Sequence, residues 1–568
     1  VLDDNTQGPD VPSIAGEMAR VHGGSVTHIY RYALRGFSAT MNEAAAIAVS
    51  LDQRVEFVEE DGRGSVDTTQ TNPPWGLDRI DQRDLPLDSA YSYVQTGAGV
   101  NAYIIDSGIR ATHQDFGSPS RVSFGADFVG DGQNGADCAD HGTAVASITG
   151  GITYGVAKGV SITNVRVVDC AGFGATSTII SGVDWVTGNH IKPAVTNMSI
   201  GISPSTSLDK AVRKSIAAGV TYVVSAGNNN VDASGQSPAR VTQAITVGAT
   251  DVLDNRWQDS PSLGSNFGTV LDLFGPGKDI PAAGNTSDIA NFLFTGTSFA
   301  APHVAGAVTQ YLQTDTTACP STLSEIITSN ATSNKVINPG SGSPNQLLFT
   351  PQAWPVATYY SLSLNGTNAY VDVPNGGLGV SLDITGPVTV EAWIKTSSTS
   401  RQGIIERFNS SACTGTADGG YALRIVNGFV RVFTLKNGCE FDSIDSSVSV
   451  SDGMWHHVAG VFTGSQLWVF VDGAGNSKSS TFAPGTGTSN LRIGTRSDGA
   501  GYFFNGLIDE ARVTARAVYT ANFTPQHKLT GVMDTKGLWR FDRQNAKDCA
   551  DINNGNLQGG VMFSLDVP

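Results

Sequence analysis

From about Val100 to Gln313 short apolar runs alternate with stretches of helical period. Ala102–Ile105, Ser161–Val168, Ala194–Met198, Thr221–Ser225 and Ala244–Val247 read as strands. Helical patterns begin near His141, Ser177, Ser207 and Ser298. Alternation of this kind implies an α/β domain, a parallel sheet covered by helices. Such sheets bind ligands beyond the carboxyl ends of their strands. Chemistry is therefore expected where strands end and helices begin.

Three stretches bring reactive groups to those positions. Gly296-Thr297-Ser298-Phe299-Ala300-Ala301-Pro302-His303-Val304-Ala305-Gly306 sets a serine at the start of a helix of small residues. Alone, Ser298 is no more than an N-cap. Val100-Asn101-Ala102-Tyr103-Ile104-Ile105-Asp106-Ser107-Gly108-Ile109 ends a strand on an aspartate, and Asp140-His141-Gly142-Thr143-Ala144-Val145-Ala146-Ser147 opens a helix on a histidine. A serine hydroxyl is a poor nucleophile until a base takes its proton, and a histidine suits that task near neutral pH. A carboxylate on the other imidazole nitrogen fixes the tautomer and stabilises the imidazolium. Asp106, His141 and Ser298 supply the acid, base and nucleophile in that order.

With these motifs the chain resembles the subtilases, and within them the proteinase K and aqualysin group, over roughly residues 20 to 350. The resemblance implies a subtilisin-like serine endopeptidase. It makes Asn228, in Val223-Val224-Ser225-Ala226-Gly227-Asn228-Asn229-Asn230, the oxyanion donor beside the Ser298 N–H; the plainer reading is a turn residue after a strand. Gly172, Phe173 and Gly174 match the edge segment to which substrate adds as a strand. Ser199, Ile200, Gly201, Ala226 and Gly227 match the walls of the primary pocket; they are small and uncharged, so a broad, mainly apolar preference is expected. Two positions depart from the family: Ala144 stands where His is usual, and Phe299 where Met is usual. Neither is a catalytic partner, so activity is still expected, with altered packing near Ser298.

Residues before this domain read as α+β: a helix over 13–24, a strand at Val26–Leu34 continued by Gly36–Met41, a helix capped by Asn42, and a strand at Val55–Asp61. Arg-Gly-Phe-Ser-Ala and Val-Glu-Phe-Val-Glu-Glu-Asp resemble a subtilase propeptide, an intramolecular chaperone and inhibitor of ferredoxin-like fold. The resemblance places propeptide at 1–67, with cleavage near Asp67-Thr68 and Val1-Leu2 as the tail of its opening strand. The start lacks a basic n-region and an apolar core, so a targeting segment ahead of it is expected to be missing.

The aqualysin group also has a disulfide where Cys138 and Cys170 stand, which implies that pair; a metal pair and two buried thiols are the alternatives. Cys319 has no evident partner. Asp272, with carbonyls of Thr242 and Ala244, matches a family calcium site, and Asp78, Asp81, Gln82 and Asp88 resemble a second; a solvated acidic loop is the alternative for the latter. Calcium is thus the expected structural cofactor.

The catalytic domain is expected over 68–350 and a linker over 351–358. From 359 to 568 helical periodicity gives way to short alternating strands, an all-β sandwich. Asp452-Gly453-Met454-Trp455-His456-His457-Val458-Ala459, Leu467–Gly473 and Phe504–Val513 resemble laminin-G-like, concanavalin-like jelly rolls. Cys413 and Cys439 flank a predicted hairpin and are expected to pair; Cys549 is unassigned. Neighbouring His456 and His457 point to opposite faces of a strand, so a structural role is expected. Candidate ligands of this module are glycans or proteins.

A net charge of −16 argues against nucleic acid as a partner, and no apolar run is long enough to span a bilayer. The expected molecule is a secreted monomeric protease of several domains, acting on proteins and inhibited by its own propeptide. The rival is an extracellular binding or adhesion protein with a latent protease domain.

Overall fold

The computed structural model describes residues 1–3, 5–59, 68–376, 381–408, 419–437 and 440–568. The chain divides into two compact units, Val1–Val66 and Asp67–Pro568.

In the first unit, helix Val11–His22 ends where Gly23 turns left-handed at φ +81°, its N–H bonded to the Ala19 carbonyl at 2.9 Å. Strands Ser25–Tyr30 and Gly36–Thr40 form an antiparallel hairpin. Asn42 Oδ1 accepts the Ala45 N–H at 2.9 Å and so caps helix Glu43–Ser50. Of the strand expected from Val55, the described residues keep a single bridge, between Val55 and Leu2. Leu2, Val11, Met18 and Val49 form a small core, and among the described residues of the expected strand only Val55 packs against it.

The second unit opens with Thr68–Thr71, paired antiparallel with Ala90–Tyr93. Its main sheet has nine strands, in the order Thr332–Ser333, Gln346–Leu347, Leu273–Pro276, Ile245–Thr250, Thr221–Ser225, Ala194–Met198, Asn101–Asp106, Ser161–Arg166 and Val122–Asp127. All neighbours are parallel except the first pair. Asn101–Asp106 lies between Ser161–Arg166 and Ala194–Met198, where the chain switches from building one side of the sheet to building the other.

Strand alternation divides the side chains between two cores. Ala102 and Ile104 join helices Gly142–Gly150 and Thr297–Thr314 on one face. Tyr103 and Ile105 join helices Thr176–Asn189 and Thr206–Ala217 on the other. Both faces are covered, so these strands read as continuous apolar runs. The strand Val122–Asp127 was not foreseen because as an edge it is half exposed and carries no such run.

Two antiparallel sheets follow, of eight and seven strands among the described residues, enclosing a core that includes Leu362, Val390, Ile394, Val432, Val469 and Trp539. The expected linker is not a free tether. Trp354 is 3% exposed, packs edge-on against Tyr311 in the core of the main sheet, and donates its backbone N–H to Gln95 Oε1 at 3.1 Å. Ala550 and Ile552, from the end of the chain, pack into the core formed by Ile179, Val183, Val212 and Ile216. Cys319, for which no partner was foreseen, is bonded to Cys549, 230 residues away. Among the described residues no helix is long and apolar enough to cross a membrane.

Candidate active site

Asp106 is the last residue of its strand and His141 the residue before its helix, so both lie at the carboxyl edge of the sheet beside the switch point. Asp106 Oδ1 accepts the Nδ1–H of His141 at 2.7 Å and the Ser107 N–H at 2.7 Å. Asp106 is 1% exposed, which protects this bond from water. Burial disfavours the charged imidazole, but the Asp106 carboxylate and the hydrogen bond to it prevail, with Asp137 adding, and raise His141 above its ordinary value.

Asp137, which the sequence reading passed over, clamps the two segments together. Its Oδ1 accepts the Ser107 hydroxyl at 2.9 Å, and its Oδ2 accepts the Thr143 N–H at 3.0 Å and hydroxyl at 2.6 Å. The Ser107 hydroxyl in turn accepts the Gly142 N–H at 2.9 Å. A loop aspartate that bonds backbone N–H groups two and three residues on, as Asp137 does with Ala139 and Asp140, is the local signal that could have found it. Beneath it, fully buried Arg166 pairs with Asp131 and donates to the Ser107 carbonyl at 3.0 Å.

Ser298 is the second residue of helix Thr297–Thr314. Pro302, inside this helix, has no N–H to give the Ser298 carbonyl. The Ser199 hydroxyl replaces it, donating at 2.8 Å and accepting from Asn197 Nδ2 at 2.9 Å. The proline thus frees a carbonyl that ties the serine to the end of strand Ala194–Met198. Gly306 permits close packing below: a Cβ there would lie 2.5 Å from Val156 and 3.0 Å from the Thr149 carbonyl. The Ser298 hydroxyl donates to the Ser199 carbonyl at 3.4 Å, and no hydrogen bond joins it to His141. Such contacts commonly tighten only with substrate bound.

Asn228 Oδ1 accepts both the N–H (2.9 Å) and the hydroxyl (2.8 Å) of Thr297. The amide is thereby oriented, with Nδ2 left as a donor; a Cβ on Gly296 would lie 3.2 Å from it. Gly296, at φ +151°, keeps that approach open. Asn266, fully buried and also unforeseen, holds the loop: its Nδ2 donates to the Ala226 carbonyl at 2.9 Å and its Oδ1 accepts the N–H groups of Asn229 and Val231. Phe299 packs on the His141 ring at 5.3 Å between centroids, and Phe294 on Phe299 at 5.0 Å.

The segment Gly172–Gly174 is not a strand. Asp169 Oδ1 accepts the N–H groups of Ala171 and Phe173, at 2.9 Å each, and closes a turn with Gly172 at φ +82°. The Phe173 ring is 75% exposed. Ile200 packs with the second core, and Ser199, Ala226 and Gly227 lie beside the serine through the bonds to Ser298 and Thr297.

Two oxygen-rich places stand apart. Asp78 accepts the N–H groups of Asp88 and Ser89, Asp81 that of Ser92, and Gln82 Oε1 that of Asp88. Asp81 Oδ1 is buried without a partner, and burial with the charges of Asp88 and Asp78 pushes its carboxyl up to about 7. An orphan carboxylate oxygen among like charges fits a hard cation. Asp272 Oδ2 accepts the Thr246 N–H at 2.7 Å, which brings it to the segment carrying Thr242 and Ala244, and burial pushes it up to about 7.

Cys138 and Cys170 are joined, S–S 1.95 Å. Cys413 and Cys439 lie outside the described residues. His456 bonds Asp472 and Asp452, and His457 bonds buried Glu391, so the two rings serve separate carboxylates.

The model of the subtilase family matches residues 97–347, and that of the concanavalin A-like lectin/glucanases superfamily residues 365–522. An extracellular serine proteinase of Thermus sp. strain Rt41A is 49% identical over 331 residues, 58% of this chain and 79% of that one. The chain belongs to the subtilase family. Alkaline serine exoprotease A of Vibrio alginolyticus is 42% identical over 339 residues, 59% of this subtilase and 62% of that chain. Proteinase T of Parengyodontium album is 43% identical over 263 residues, 45% and 86% respectively. A cold-adapted subtilisin-like serine proteinase of known structure is 46% identical, with a TM-score of 0.47, covering 49% of this chain and 99% of its own. This subtilase is a serine proteinase, a hydrolase of peptide bonds, with a laminin-G-like domain behind it.

Proposed function

We propose that this subtilase is a secreted, calcium-stabilised endopeptidase made as a self-processing proprotein, cutting proteins with broad, mainly apolar preference. His141 takes the Ser298 proton as the hydroxyl attacks the substrate carbonyl, Asp106 holds the imidazole and its charge, and Asn228 Nδ2 with the Ser298 N–H receives the oxyanion. His141 then returns the proton to the leaving amine, and water repeats the cycle on the acyl-enzyme. The observation that carries this reading is the 2.7 Å bond from His141 to a carboxylate shielded from water. Ser199, Ile200, Gly201, Ala226 and Gly227 line the primary pocket, and substrate backbone runs along Gly172–Gly174.

Residues 1–67 are the propeptide, inhibitory and ferredoxin-like, 68–350 the catalytic domain, 351–358 the connection and 359–568 the jelly roll, with a glycan or protein as its ligand. Calcium would be held by Asp272 with the Thr242 and Ala244 carbonyls, and by Asp78, Asp81, Gln82 and Asp88, where it would neutralise the carboxylates. Two disulfides suit an oxidising compartment. A latent protease serving adhesion is not favoured, since no group of the proposed machinery is missing.

The test is intact mass and N-terminal sequencing after incubation with calcium, beside Ser298→Ala. A new N-terminus near Thr68 in the parent alone is expected. An uncut parent that also hydrolyses no denatured protein would overturn the reading.

A further inference from the structure

Lys210, Arg213 and Lys214 of helix Thr206–Ala217 line a cleft of about 700 Å³ together with Lys536, on strand Thr535–Trp539 of the C-terminal module. Lys210 and Lys214 stand one helical turn apart, about 6 Å along the axis, a spacing at which like charges repel. The module brings a third lysine to them. Lys536 is half-buried; burial pushes its ammonium down, Asp534 draws it up, and Lys214 and Lys210 push it down again. Among the described residues none of the four cations makes an ion pair or a side-chain hydrogen bond. Asp184, Asp383 and Asp534 share the walls, but Asp383 is committed to Arg407 at 2.9 Å. Four cations thus face two carboxylates without ion pairs, in a chain whose net charge is −16. An anion between the two domains would relieve that concentration of positive charge.

The rest of the lining says what kind of anion fits. Thr187, Thr206 and Ser381 add hydroxyls, and among the described residues no aromatic ring lines the cleft, so bases find no stacking face. The catalytic wall is the faces of helices Thr176–Asn189 and Thr206–Ala217, whose backbone groups are bonded internally and cannot pair with an extended peptide. We propose that this cleft binds an acidic polysaccharide, a glycan chain carrying carboxylate or sulfate groups, at the junction of catalytic domain and module. The proposal takes the glycan from the two ligand classes proposed for the module and rests on that reading. Arg213 offers the planar fork that fits carboxylate and sulfate oxygens, and the lysines offer point charges. Physiological salt screens charges more than about 8 Å away, so the distant acidic surface does not cancel the local attraction.

Titration calorimetry of the full-length Ser298→Ala chain with polygalacturonate and with dextran sulfate, at low and at physiological salt, tests this. At least one acidic polymer is expected to bind, more weakly as salt rises, and neutral dextran not at all. Lys210→Gln combined with Lys214→Gln is expected to weaken binding about tenfold. Lys536→Gln, on the other wall, is expected to weaken it too, so a failure of the first variant to fold leaves the test standing. Lys335→Gln removes the same charge from a pair with Asp84 and is expected to change nothing. Binding that ignores all three cleft lysines overturns the proposal and leaves the module a glycan binder. No binding of either polymer overturns the proposal and the glycan reading together. Poly-glutamate bound as tightly, through the same lysines, overturns the glycan in favour of an acidic peptide.

Discussion

The bond from His141 to Asp106 sets the protonation state on which turnover depends. In the proposed mechanism the imidazole must be neutral to take the serine proton. Because its folded pKa is raised above the ordinary value of 6.5, activity is lost as pH falls through a point above 6.5. Asp106→Asn removes the charge that raises it, so the acid limb of the kcat/KM profile moves down in pH. The same change is expected to lower kcat by about 10⁴, because the amide favours the wrong tautomer. Asn228→Ala removes one oxyanion donor and is expected to cost about 10²–10³ in kcat with little change in KM, the magnitude known for this donor in a subtilisin. Stopped assays on a peptide anilide across pH 5 to 9 read all three effects. Asp106, His141 and Ser298 stood out in the sequence as an acid at a strand end and a base and a nucleophile at helix starts, and Asn228 through the resemblance of its Ala-Gly-Asn context to the subtilases. Asp137 and Asn266 did not stand out. Their work is done on backbone N–H groups of distant or irregular segments, and a polar loop residue with that task looks like any other.

At the scale of elements, the serine helix is held by a compensation between Pro302 and Ser199. Ser199→Ala strands the Ser298 carbonyl in a nearly buried place, a loss of about 1–3 kcal/mol in stability. Urea unfolding in the Ser298→Ala background measures it, and an unchanged midpoint would show that another donor takes over. The loop of Asp78, Asp81 and Asp88 makes the second element-scale prediction. With calcium held there as proposed, a chelator is expected to leave these carboxylates repelling one another, so that the melting temperature falls at pH 8 and returns with calcium. Asp81→Asn is expected to lose one bound ion by titration and most of that response. The parallel strands were readable because burial on both faces makes each a continuous apolar run. Edge strand Val122–Asp127 was not, and among its described residues the strand expected from Val55 keeps one bridge, because only Val55 of them reaches the small core of the first unit.

For the molecule as a whole, catalytic domain and jelly roll are one body rather than a protease with an appendage. Trp354 is sunk in the catalytic core, Ala550 and Ile552 complete a core begun by helices Thr176–Asn189 and Thr206–Ala217, and Cys319–Cys549 closes the arrangement. None of this was legible in the sequence, because which surfaces meet depends on shapes that only the folded domains possess. Removing everything past residue 355 is therefore expected to bare apolar surface and give a chain that aggregates. Replacing Cys319 and Cys549 by serine opens a loop of 230 residues, with an expected loss of about 3–5 kcal/mol. A melting temperature unchanged by that replacement would show that packing alone suffices. The central claim, that Ser298 is the nucleophile activated by His141 and Asp106, is tested most directly by mapping a fluorophosphonate adduct by mass spectrometry. The account predicts one adduct, on Ser298, lost in His141→Ala although that variant stays folded. An adduct on another serine, or labelling of Ser298 that persists at full rate without His141, would contradict it.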